Sequence, residues 1–221
     1  MPSDAANQTR ERILDAATRL FAEHGFAATS MRRVTSEAKA NLASVHYHFG
    51  SKKALILAVF ERLVGPVNRD RLDRLDAALT ASGGAPLTVE TIVDAFIAPA
   101  LRLARDPRLG AALPALLGRI YAEPGDILRP VFEEQFGEVA RRFAMALGDA
   151  LPALPNAELR WRLHFLVGAM AHTMADRHSL SVICGGIDHS DDPDAVRRRL
   201  VAFVSAGLRG PLVPAPDEGA A

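Results

Sequence analysis

The sequence predicts an all-α protein, with a small N-terminal three-helix unit joined to a larger helical body. Apolar residues recur at three- and four-residue spacing along most of the chain, and no β-branched run alternates cleanly with period two. Glycine, proline and capping residues punctuate these periodic stretches at helix-length intervals. The 221 residues, 49% hydrophobic and 24% charged, suffice for a real core in one large or two modest domains.

Thr9 is a candidate cap for the first helix, with Glu11 in its opening turn, where negative charge suits the helix dipole. Ile13, Leu14, Ala17, Leu20 and Phe21 form one apolar face. His24-Gly25 supplies the stop, because glycine accepts a left-handed conformation, and Phe26 is expected to fold back onto that face. Thr29 or Ser30 caps a second helix, whose Met31, Val34 and Ala38 point inward. Asn41 caps a third, running from Leu42 to about Phe49. Ser51 starts a fourth, with Leu55, Ile56, Val59, Phe60 and Leu63 on one side. Gly65-Pro66 is expected to kink or end it, since proline lacks the backbone donor, and a second helical stretch follows. Residues 81–86 form the clearest loop. Further helices are expected from Thr88 to Arg105 (bent at Pro99), Leu109 to Ala122, Asp126 to Leu151, Asn156 to about His178, and Asp194 to Leu208. Residues 211–221 make a tail rich in proline and alanine, expected to be disordered.

Composition narrows the function. No run of 18 uncharged apolar residues occurs, so no membrane span is expected, and the N-terminus lacks the basic and apolar regions of a signal peptide. Cys184 is the single cysteine, which precludes an internal disulfide and fits a reducing cytoplasm. A phosphate-binding glycine loop, a nucleophile elbow and a paired-carboxylate site are all missing, so neither a catalytic residue nor a cofactor is assigned. No metal site is assigned either. His46 and His48 point about 200° apart on a helix, and the spacing of His172, His178, Cys184 and His189 matches no familiar site. Net charge is zero but unevenly placed. Residues 1–53 hold eight basic against five acidic side chains, the rest 18 against 21, and all three lysines (Lys39, Lys52, Lys53) lie in the first group.

Two short helices around a tight turn, the second polar and aromatic on one face, form a helix-turn-helix surface for a DNA major groove. Val45 and Phe49, four apart, face the core. Leu42, Ala43, Ser44, His46, Tyr47 and His48 are left to meet base edges and phosphates, with Leu42 and Ala43 suited to thymine methyls. Lys52 is placed for a phosphate, while Thr29, Ser30, Arg32 and Arg33 stand ready to clamp the backbone across the groove.

Residues 9–55 also carry a family resemblance. Ile13 to Phe26 follows the pattern Ile-Leu-x-Ala-Ala-x-x-Leu-Phe-x-x-x-Gly-Phe, and Tyr47 to Lys52 reads Tyr-His-Phe-x-x-Lys. Both resemble the DNA-binding domain of TetR/AcrR-family transcriptional regulators. The resemblance implies a 9–55 DNA-binding domain joined to a 56–210 helical domain for effector binding and dimerisation. One departure stands out: Lys39 occupies the turn position where the family usually has glycine. Either it accepts positive φ at a cost of about 1 kcal/mol, or the turn takes another geometry, and it adds a candidate phosphate contact.

Sites of this kind are read by symmetric dimers. Trp161, Phe165, Ala169 and Thr173, with Val196, Leu200, Phe203 and Val204, are candidates for a four-helix seam, although such stripes can also close a monomer core. The proline-interrupted helices from 88 to 178 can leave an apolar cavity between them. Its candidate walls are Phe96, Pro99, Leu113, Leu117, Ile120, Phe132, Phe136, Phe165 and Met170, with Arg119, His164 or His172 to meet a ligand's acidic end. Residues 41–56, Gly65-Pro66 and Trp161 to Phe165 are similar to the fatty-acid-responsive PsrA-type subgroup, which implies a fatty acid or acyl-CoA as one candidate effector. The sequence therefore points to a ligand-responsive repressor that binds a palindromic operator as a homodimer. A helical metal-dependent enzyme and an interaction protein without DNA affinity are the rivals.

Overall fold

The computed structural model describes residues 4–106, 112, 115–116, 118–119, 125–175 and 192–212, with backbone alone at 125–129 and 131–132. Among these residues the regular structure is helical, and no strand occurs. The helices are α1 (Asp4–His24), α2 (Met31–Glu37), α3 (Leu42–Phe49), α4 (Lys52–Ala81), α5 (Val89–Leu103), α6 (Gly125–Ala150), α7 (Asn156–Ala175) and α8 (Pro193–Arg209). None of them is long and apolar enough to cross a membrane.

The residues fall into two compact units, 1–72 with 99–140, and 73–98 with 141–221. In the first, α1, α2 and α3 pack against one another. Gly25 takes φ 85° and lets the chain reverse, so that Phe26 folds back. Its ring sits 5.2 Å from Phe21 and 5.8 Å from Phe60, tying α1 to α4 around a fully buried aromatic centre. Arg62 of α4 adds a polar strap: Nη1 meets Asp15 at 2.7 Å and Glu11 at 3.4 Å, while Nη2 donates to Thr18 Oγ1 at 2.8 Å. Farther along α4, the buried Arg71 donates to Asn68 Oδ1 at 3.0 Å, and Asn68 donates to the Gln135 carbonyl at 2.6 Å. Burial lowers Arg71 to about 10, which leaves it a cation at neutral pH.

In the second unit, Phe96 of α5 meets Phe143 of α6 edge-on at 5.1 Å. Leu159, Leu166, Met170 and Met174 of α7 are buried, as are Leu200, Val204 and Leu208 of α8, and these two helices pack together. The buried Arg162 closes the end of α8. Its Nη1 donates to the carbonyls of Gly207, Leu208 and Gly210 at 3.2, 2.9 and 2.8 Å, Nη2 to that of Pro211 at 2.9 Å, and Nε pairs with Glu158 at 2.8 Å. One guanidinium thus satisfies carbonyls that a helix end leaves without donors.

Two boundaries differ from the sequence expectation. α1 begins at Asp4, and Thr9 lies inside it, donating its hydroxyl to the Ala5 carbonyl at 2.9 Å rather than capping. α4 runs unbroken through Gly65-Pro66 for 30 residues. Proline's fixed φ is compatible with a helix, and the buried Leu63, Val64 and Val67 on either side hold the segment despite one missing bond.

Candidate functional site

Helix α2 starts where the Ser30 hydroxyl accepts the Arg33 amide at 3.2 Å. Thr29, one residue earlier, is fully buried, and its hydroxyl donates to the carbonyls of Gly25 (2.8 Å) and Leu20 (3.2 Å). It braces the loop from within and is withdrawn from the contact surface. Arg32 and Arg33 are exposed, and Arg33 donates to His24 Nε2 at 2.7 Å, which fixes its head group beside the end of α1.

The turn after α2 resolves the Lys39 alternatives. Lys39 has φ 49°, its amide bonds to the Ser36 carbonyl at 3.2 Å, and the Ala40 amide reaches back to Thr35 at 3.0 Å. This pair of bonds is the helix stop normally built on glycine, formed here with a lysine in the left-handed position. Asn41 follows as the N-cap of α3, accepting the Ser44 amide at 2.6 Å.

Val45 and Phe49 of α3 are buried, and the Arg10 guanidinium lies 5.6 Å from the Phe49 ring centre, closing that side. The opposite face is open: Leu42, Ala43 and His46 are exposed, and Tyr47 is 82% exposed. His46 donates from Nδ1 to the Gly50 carbonyl at 3.0 Å, which leaves Nε2 as the nitrogen for an outside partner. Ser44 and His48 are half-buried at the flanks, with His48 edge-on to Tyr47 at 5.1 Å. Lys52 is also half-buried. Its ammonium donates to the Ala27 carbonyl at 3.1 Å and so fastens the loop after α1 to the start of α4. Lys53 is exposed and has no ion-pair partner among the described residues.

In the body, Trp161 and Phe165 are 61% and 63% exposed and stack at 6.0 Å, and Phe203 is 72% exposed. Ala169, Thr173 and Val196 are half-buried. Leu200 and Val204 do not share this face. Both are buried on the inner side of α8, so they close the unit's own core rather than a seam.

Of the proposed cavity walls, Phe96 and Met170 are buried, and Pro99 follows Phe96 by three residues on α5. His164, Phe165 and His172 are exposed on α7. Arg119 donates to the Glu23 carbonyl at 2.7 Å, so its head group is engaged at the end of α1. Leu113, Leu117 and Ile120 lie outside the described residues, as does the Phe132 side chain. The second unit has an open groove of about 590 Å³ with an alanine-rich floor (Ala77, Ala78, Ala95, Ala202), and none of the expected wall residues lines it. Arg197 and Asp94 pair beside it at 2.7 Å. No group of three or more metal-ligating side chains occurs among the described residues, and His178, Cys184 and His189 lie outside them.

Comparison with known proteins agrees with the N-terminal geometry. Residues 13–59 match the model of bacterial regulatory proteins of the tetR family, and residues 94–207 match that of the tetracyclin repressor-like C-terminal domain. The chain is 35% identical over 74 residues to the HTH-type transcriptional repressor NicS of Pseudomonas putida, covering 33% of this chain and 35% of NicS. It is 51% identical over 51 residues to the HTH-type transcriptional repressor Rv3405c of Mycobacterium tuberculosis, covering 23% and 27%. The chain thus spans about a third or less of the length of these relatives. Among solved structures, the fatty acid degradation regulator FadR of Bacillus halodurans has a TM-score of 0.63 at 16% identity, covering 91% of this chain and 96% of that one. FadR of Bacillus subtilis, solved with stearoyl-CoA, has a TM-score of 0.62 at 15% identity, covering 89% and 98%. These likenesses concern the fold. With the C-terminal match alone covering more than half of the sequence, and the helix-turn-helix matched separately, the chain belongs to the TetR family of DNA-binding transcriptional regulators.

Proposed function

We propose that this regulator is a ligand-responsive repressor which reads a palindromic operator through α3 as a homodimer and is released by a small hydrophobic effector in the cytoplasm. In this reading residues 9–55 contact DNA, while 56–210 pair and respond to the effector. The observation that carries it is the two-sided character of α3: Val45 and Phe49 are locked inward, while Leu42, Ala43, His46 and Tyr47 are exposed, Tyr47 by 82%. Two copies on a duplex would hold their α3 helices about one turn, roughly 34 Å, apart. Pairing is supported by the exposed Trp161 and Phe165, which stack on one another, and by the exposed Phe203, since large exposed apolar side chains mark an interaction site.

Tyr47→Ala tests the reading. Genomic fragments selected by the wild-type protein should bind the variant at least tenfold more weakly in a gel shift, with an unchanged melting temperature. Equal affinity would overturn docking through α3. An acyl effector draws support from the FadR fold likeness, because that protein was solved with stearoyl-CoA. The effector acts only through its different affinities for the DNA-competent and released states. Stearoyl-CoA should therefore raise the melting temperature and release bound DNA. Thermal stabilisation without release would place the ligand but reject induction.

A further inference from the structure

Helix α4 changes partners partway along its length. Before residue 65 its side chains hold the head: Phe60 meets Phe26 at 5.8 Å, and Arg62 bonds to Asp15 and Thr18 of α1. After residue 66 they hold other helices: Asn68 donates to the Gln135 carbonyl of α6 at 2.6 Å, and Asp70 pairs with Arg102 of α5. The change falls where the helix ladder is interrupted. Pro66 has no N–H, so the Arg62 carbonyl loses its ladder donor.

One ion pair spans this interruption. Glu61, Gly65 and Arg69 follow at four-residue spacing and share a face. Glu61 and Arg69 meet at 3.0 Å although eight residues separate them, twice the usual spacing of a helix pair. That reach depends on Gly65. The Glu61 carboxylate lies across it so closely that a Cβ there would come within 2.5 Å of Oε1. Leu63, Val64 and Val67 are buried on the other side, whereas Pro66 is exposed. A bend at the proline therefore opens the outer side and lengthens the pair.

We infer that Gly65-Pro66 is a hinge within α4, splinted by the Glu61–Arg69 pair, and that the switch between DNA-competent and released states bends the helix there. Its use in the switch rests on the proposed ligand-responsive reading, whereas the hinge itself rests on α4 alone. Both side chains of the pair are exposed, so the splint is weak and salt-sensitive, as a joint that must open requires.

Amide exchange of the full chain, followed by mass spectrometry at residues 67–70 with buried α7 amides as reference, tests the hinge. Raising KCl from about 0.05 M to about 1 M should speed wild-type exchange there, by no more than about fivefold. Glu61→Gln should exchange at the fast rate in both salts. Pro66→Ala restores the missing donor and should slow exchange about tenfold. Wild-type exchange that ignores both salt and Glu61→Gln would overturn the splint, and wild-type rates in Pro66→Ala would overturn the hinge. Gel shifts test its use: Pro66→Ala should keep selected genomic DNA bound at stearoyl-CoA concentrations that release the wild type. Equal release would overturn the assignment of the switch to this hinge. Stearoyl-CoA that releases neither protein would reject the acyl reading, with the exchange rates still deciding the hinge.

Discussion

At the scale of single residues, the head depends on short-range polar bonds that each have one job. The Thr29 hydroxyl is buried against two backbone carbonyls. Thr29→Val keeps the shape but leaves both acceptors without it, so urea denaturation should show a loss of about 1–3 kcal/mol. Asn41→Ala removes the α3 cap, and the expected cost is about 1 kcal/mol, concentrated in amide-exchange protection of Ser44. Much of this level is legible in sequence. Val45 and Phe49 read inward from their spacing, Thr29 or Ser30 and Asn41 read as caps from their chemistry, and Ser51 reads as the start of α4, where its hydroxyl accepts the Ala54 amide at 3.1 Å. The role of Thr29 is not legible, because the Leu20 carbonyl that accepts from it lies nine residues away and comes near only once the loop has folded.

At the scale of helices, ends and their partners govern stability. Arg162 meets four carbonyls at the end of α8, so Arg162→Met should cost about 3–5 kcal/mol in chemical denaturation, leaving those acceptors and Glu158 uncompensated. Arg162→Lys should recover only part of it, since an ammonium lacks the planar fork that spreads over several acceptors. Glu90 at the start of α5 bonds to Arg209, which holds its carboxyl down at about 2. A depressed carboxylate contributes stability above the ordinary glutamate range and loses it as pH falls toward 2. The melting-temperature gap between wild type and Glu90→Gln should therefore exist at pH 7 and close by about pH 2. It should stay small, below about 1 kcal/mol, because the pair is exposed and screened. Pro66 reads as a break in sequence because the missing donor is visible there, whereas the buried neighbours that carry α4 through it are not.

At the scale of the whole molecule, one question is which surface of the body the proposed homodimer uses. α7 is apolar on both sides, with Leu166 and Met170 turned inward and Trp161 and Phe165 turned outward, so its pattern alone cannot assign a face. The same ambiguity on α8 makes the buried Leu200 and Val204 read as seam residues from spacing alone. The candidate cavity is still less legible, since its walls depend on how several helices are arranged rather than on any one helix's period. If the outward face forms the seam, Phe165→Glu with Phe203→Glu should sediment as a folded monomer and bind operator far more weakly. A dimer in that variant would move pairing elsewhere. Trp161 is the sole tryptophan in the sequence, and it stands open on this face. The chain consequently carries its own optical gauge: diluting the protein should drift its intrinsic emission toward the red as indole meets solvent, with no dye attached.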